Sequence, residues 1–210
     1  MKNSTSIVNS NKKIGLFGGA FDPIHAAHVQ LAVSAKDTLD LDEVWLLIDK
    51  EPRDKNTAAS YRDRIHMAEL ATQAYPFIIV DKLSVQIEGK THDHTTLIDL
   101  KDRFPFYTFS MIFGIDILLN FHKWEAPEVF CNNVDFAIAG RPPYTEFDVN
   151  LIKRNLGPLA EKFRYRLIDF QESSTSSTLV RSQLLAKKYS ADIHPEVHDY
   201  ILKEQLYTAK

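Results

Sequence analysis

The chain holds a single cysteine, Cys131, so no internal disulfide can form. A lone thiol fits a reducing, cytoplasmic compartment and a packing role. Long apolar runs are missing: no stretch approaches the roughly 20 residues that cross a bilayer. Met1 to Asn11 are rich in Ser and Asn and lack the apolar core of a secretory signal, so residues 1–11 read as a disordered leader. An excess of one charge is also missing. With 25 Lys and Arg against 28 Asp and Glu, the net charge is −3, which offers neither nucleic acid nor a membrane surface an electrostatic footprint. Partners should therefore be small molecules, with a homo-oligomer left open. There is no internal repeat and no low-complexity linker. At 210 residues, 44% of them hydrophobic, the composition suits one domain with a real core, residues 12–210.

What is present is alternation. Apolar, β-branched runs predict strands over Lys13–Phe17, Glu43–Ile48, Phe77–Val80, Thr108–Phe113, Asp135–Ala139 and Tyr165–Asp169. Between them, helical periodicity covers His25–Lys36, Ala59–Ala74, Thr95–Arg103, Ile117–Phe121, Pro127–Asn132 and Asp148–Lys162, with a C-terminal helical part at about 176–207. Parallel strands need crossover connections, and right-handed crossovers cover both faces of a sheet. The expected fold is α/β, a doubly wound, Rossmann-like parallel sheet whose ligands bind beyond the carboxyl ends of the strands.

The most informative segment, Gly18-Gly19-Ala20-Phe21-Asp22-Pro23-Ile24-His25-Ala26-Ala27-His28, lies at such an end. Two glycines are expected to form a sharp turn, Asp22 to cap a helix and Pro23 to occupy its first position. His25 and His28, three apart, then share one side of the first turns near free N–H groups and the positive end of the helix dipole. An anion is the natural ligand there. Zinc would need a third and usually a fourth protein ligand, and neither a cysteine cluster nor a glutamate after the first histidine is nearby, so no protein-held metal is assigned. The segment is neither a Walker loop nor a Gly-x-Gly-x-x-Gly fingerprint.

A second group opens the helix after the last strand. Ser176, Ser177 and Thr178 place hydroxyls at its N-terminus, and Arg181 lies one turn from Ser177, so its guanidinium can bend back toward phosphate oxygens. Gly114 and Asp116 follow the fourth strand, where glycine permits a tight exit and the carboxylate can receive ribose hydroxyls.

At these positions the chain resembles the nucleotidyltransferases with the motif Gly-Gly-x-Phe-Asp-Pro-x-His-x-Gly-His, in particular the nicotinate mononucleotide adenylyltransferases. Ala27 stands where that family usually has glycine. Ser177-Thr178 and Arg181 are similar to its Ser-x-Thr-x-x-Arg signature, Arg141-Pro142-Pro143 to its Arg-Pro-Gly, and Pro195 to Ile201 with Leu206-Tyr207 to its C-terminal tail. The resemblance implies that ATP and a pyridine mononucleotide are condensed to a dinucleotide and pyrophosphate, with Mg2+ carried on the ATP phosphates. It implies catalytic roles for His25, His28 and Arg181, and ATP contacts from Gly18, Gly19, Phe21, Asp22, Gly114, Asp116, Ser177 and Thr178. Lys55, Thr96 and Trp124 would hold the mononucleotide. The loops at Pro52-Arg53-Asp54-Lys55 and Thr91-His92-Asp93 depart from the family pattern. The alternatives are a nicotinamide mononucleotide enzyme, another nucleotidyltransferase, or a non-catalytic nucleotide sensor.

Overall fold

The computed structural model describes residues 11–50, 52, 57–80, 94–140, 146–168, 170 and 175–208. Six strands form one parallel sheet: β1 Lys13–Gly19, β2 Glu43–Ile48, β3 Ile78–Val80, β4 Thr108–Gly114, β5 Val134–Ala139 and β6 Tyr165–Ile168. Their order is β3-β2-β1-β4-β5-β6, so the direction of winding reverses between β1 and β4 and opens a crevice at their carboxyl ends. The helices are α1 Ala26–Leu39, α2 Tyr61–Thr72, α3 His94–Arg103, α4 Ile115–Leu118, α5 Pro127–Asn133, α6 Glu146–Leu156, α7 Ser177–Leu185 and α8 Pro195–Lys203, with 3-10 turns at Phe121–Lys123 and Gly157–Lys162. Each strand ends within two residues of the bounds its apolar run predicts, and the helices differ mainly at their ends. No helix among the described residues is long and apolar enough to cross a membrane.

Both faces of the sheet are buried, as the period-2 geometry of a strand requires when helices lie on each side. Phe17, Val44, Leu46 and Ile48 face α1, α2, α7 and α8. Ile14, Leu16, Trp45 and Leu47 face α3, α4, α5 and α6. Cys131 is fully buried in that second layer, where burial pushes its thiol up to about 11 and leaves it an inert packing group.

Two local expectations are corrected. Gly18 and Gly19 are the last residues of β1, paired with Leu47 and Ile48, and the left-handed residue of the turn is Phe21 at φ 47°. At Gly19 the approach is close: a β-carbon there would come within 3.3 Å of the Phe21 ring, which would have to give by a few tenths of an ångström. The first helix starts at Ala26 instead of Pro23, because His25, whose backbone is extended, is the N-cap.

Candidate active site

A cavity of about 560 Å3 opens beyond the carboxyl ends of β1, β4 and β5. Gly18, Gly19, Phe21, Asp22, His25 and His28 line it from the first turn; Gly114 and Asp116 line it after β4, and Ser177, Thr178 and Arg181 from the start of α7. The motifs are up to about 160 residues apart in sequence, yet they share one wall. Ala27 is in the lining too, so its methyl stands in the space the family usually leaves to glycine.

The two imidazoles stack, with ring centroids 3.7 Å apart and planes 26° from parallel. His25 donates its backbone N–H to His28 Nδ1 at 3.3 Å. That bond assigns the acceptor role to Nδ1 and leaves Nε2 of a neutral His28 to carry the proton. Phe21 packs edge-on against His28 with centroids 5.0 Å apart. The ring is thus held on two sides.

The first turn of α7 braces the loop that carries the histidines. Ser177 Oγ donates to the Pro23 carbonyl at 3.0 Å, and Arg181 Nη1 donates to the Asp22 carbonyl at 2.6 Å. Arg181 Nη2 also donates to Thr178 Oγ1 at 3.2 Å. Ser176 caps the helix by accepting from Leu179 N–H. The Ser177 hydroxyl therefore places its proton inside the protein, and what this terminus offers an anion is the Thr178 hydroxyl, which only accepts from Arg181, its backbone N–H groups and the positive end of the dipole.

Asp22 differs from its expected role. Its carboxylate is buried, accepts from Ala58 N–H at 2.7 Å, from Ala59 N–H at 3.1 Å and from Tyr207 Oη at 2.7 Å, and does not cap α1. Burial first, and then this carboxylate, hold the Tyr207 phenol far above its ordinary range, so it stays protonated as the donor. Gly114 caps α4, and the Asp116 carboxylate folds back so closely that a β-carbon on residue 114 would lie 2.5 Å from it.

On the mononucleotide side the gathering is incomplete. Thr96 is buried in α3, and Trp124 packs edge-on against Phe113, Phe121 and Phe130 at 5.1 to 5.5 Å. Neither is in the cavity lining. Lys55, Arg53, Asp54, the Thr91–Asp93 loop and Arg141–Pro143 lie outside the described residues.

Arg64 is the residue that sequence reading missed. It is fully buried in α2, with Nη1 donating to the Ala20 carbonyl at 2.6 Å and Nη2 to the Lys50 carbonyl at 3.3 Å. It ties the exit of β1 to the exit of β2, and burial lowers its pKa while Asp22 and Asp49 oppose that. Its signal was available: Arg64 shares the spacing of Met67, Ala68 and Ala71, the buried face of α2, and a charged residue in an apolar stripe needs an internal partner.

Comparison with known proteins gives a consistent answer. The cytidylyltransferase-like family matches residues 16–183. A probable nicotinate-nucleotide adenylyltransferase of Bacillus cereus (strain G9842) is 31% identical over 199 residues, covering 93% of this chain and 98% of the relative. One of Shewanella pealeana is 30% identical over 206 residues, covering 93% and 95%. Among solved structures, Plasmodium falciparum nicotinic acid mononucleotide adenylyltransferase complexed with NaAD superposes with a TM-score of 0.75 at 24% identity, over 94% of this chain and 98% of that one. That likeness bears on the fold.

Proposed function

The chain belongs to the cytidylyltransferase-like family, and from that premise we propose that it is a nicotinate-nucleotide adenylyltransferase of NAD biosynthesis. The reading is carried by the convergence of His25, His28, the start of α7 and Arg181 on one cavity at the β1–β4 switch point. A phosphate oxygen of nicotinate mononucleotide attacks the α-phosphorus of ATP in line, and the bond to the β-phosphate breaks as pyrophosphate leaves with its electron pair. No enzyme nucleophile is required. The protein's task is to hold two polyanions together and to meet charge as it develops.

His28, with Nδ1 engaged, offers Nε2–H to an ATP phosphate oxygen, and His25 stacks behind it. Arg181 and the α7 N-terminus receive the β- and γ-phosphates, and Asp116 the ribose. Magnesium accompanies the triphosphate. It would be bound by phosphate oxygens and water. Lys55, Thr96 and Trp124 remain the proposed mononucleotide contacts. Trp124 touches Phe113, the residue before Gly114, so the pyridine is proposed to lie along the β4 edge of the cavity.

Pyrophosphate release from ATP, compared with nicotinate mononucleotide, nicotinamide mononucleotide and phosphopantetheine as acceptors, tests the reading. Fastest release with the nicotinate acceptor supports it. Preference for either other acceptor, or no release with any, overturns it.

A further inference from the structure

Beneath the histidine turn lies a polar cluster that the chemistry above does not use. Asp22 and Tyr207 are 4% and 7% exposed, Arg64 is 0% exposed, and the three come from the first turn, the far end of the chain and α2. We propose that Tyr207 is a positioning residue for adenylyl transfer, its hydroxyl holding the Asp22 carboxylate so that the turn presents His25 and His28 in reactive register. The proposal rests on the adenylyltransferase reading.

The short segment Ala20–Pro23 is restrained from two sides. From the cavity side, Arg181 holds the Asp22 carbonyl and Ser177 the Pro23 carbonyl. From below, Arg64 holds the Ala20 carbonyl, while Ala58, Ala59 and Tyr207 hold the Asp22 carboxylate. Within this segment Phe21 sits at φ 47°, a conformation that costs a non-glycine residue energy and persists only where the surroundings over-determine it. Phe21 in turn supports the His28 ring. Of the donors below, Tyr207 alone donates to the carboxylate through a side chain. Its 2.7 Å bond is charge-assisted and in a site shielded from water, where such bonds are strong and directional. Removing it leaves a buried carboxylate short of one donor, and the turn relaxes to find another. Displacements below 1 Å at reacting groups are enough to slow a reaction that depends on alignment.

Tyr207→Phe keeps the ring and deletes only the hydroxyl. The expected result is a fall in kcat on the order of tenfold with the KM of each substrate changed by less than about threefold, measured well below the melting temperature. Arg64→Lys, which keeps the charge but cannot hold both carbonyls, should give the same split. In an Asp22→Ala background, Tyr207→Phe should have no further effect on kcat, because the hydroxyl has lost the group it acts through. An unchanged kcat with only a lower melting temperature would make Tyr207 a stability residue and overturn the proposal. So would a full additional loss in the Asp22→Ala background. If the wild-type protein does not release pyrophosphate, the functional reading falls and takes this one with it; if it does and Tyr207→Phe matches it, this one alone falls.

Discussion

On the β1 side of the cavity, the chain is held by polar bonds between distant segments: Arg181, Ser177, Arg64 and Tyr207 all reach a loop of four residues. On the β4 side, Phe113, Phe121, Trp124, Phe130, Phe136 and Phe163 form a cluster of edge-to-face and tilted rings, with centroids 4.6 to 6.1 Å apart. Directional bonds fix where an atom points, and aromatic packing fixes how much surface is removed from water. Damage to the first should therefore appear as lost rate, and damage to the second as lost stability.

The largest effect separating the two halves is expected at His28. His28→Ala should lower kcat/KM on the order of 100-fold or more while leaving the melting temperature almost unchanged; steady-state kinetics beside thermal unfolding reads both. A turnover within about threefold of wild type would remove His28 from the phosphates. Next is the opposite half. Trp124→Ala abandons three ring contacts in a half-buried site, so a loss of about 2 kcal/mol in stability is expected. The KM for ATP should not move, whereas that for the mononucleotide should rise several-fold if the pyridine lies along the β4 edge. Chemical denaturation and two KM measurements decide this, and an equal rise in both constants would erase the contrast.

Arg181→Lys should follow, with a rate loss of about tenfold, because an ammonium cannot hold the Asp22 carbonyl and Thr178 and still present a planar fork to phosphate. Wild-type turnover with wild-type ATP binding by calorimetry would refute it. The smallest effect lies outside both halves, where α8 docks on α2. The Ser60 hydroxyl, aided by Tyr200, holds Asp63 below its usual carboxylate range. A depressed folded pKa stabilises the fold above the unfolded value of about 3.9 and is lost as pH falls through the folded value. Wild type should thus lose slightly more stability on acidification than Asp63→Asn, and parallel curves would show that the contact contributes nothing.

The same division explains what could be read in the chain beforehand. The six strands, the parallel α/β class and a ligand site at the strands' carboxyl ends follow from hydrophobic periodicity and end signals, which are local, whereas the order β3-β2-β1-β4-β5-β6 depends on long-range pairing that no local pattern encodes. Asp22 was misjudged because Asp-Pro is a strong local cap signal, while the donors that claim its carboxylate are 36, 37 and 185 residues away. Trp124 reads as a stacking platform from sequence alone, and its packing against Phe113, Phe121 and Phe130 is added by tertiary contacts that no local signal carries. Arg64 was the one miss with a local trace, a cation on the buried stripe of its own helix.

The sequence distances of those braces also bear on how the protein is made. Three of the bonds to the first turn span 154, 159 and 185 residues, so a chain growing on a ribosome can complete β1 to β5 long before its phosphate pocket exists. Loop closure over such lengths adds little equilibrium cost, because it grows only logarithmically, but it comes late. A nascent or prematurely terminated product would hold much of the sheet and the Arg64 brace but lack the bonds from Ser177, Arg181 and Tyr207, and nucleotide binding would begin only as the last two helices emerge.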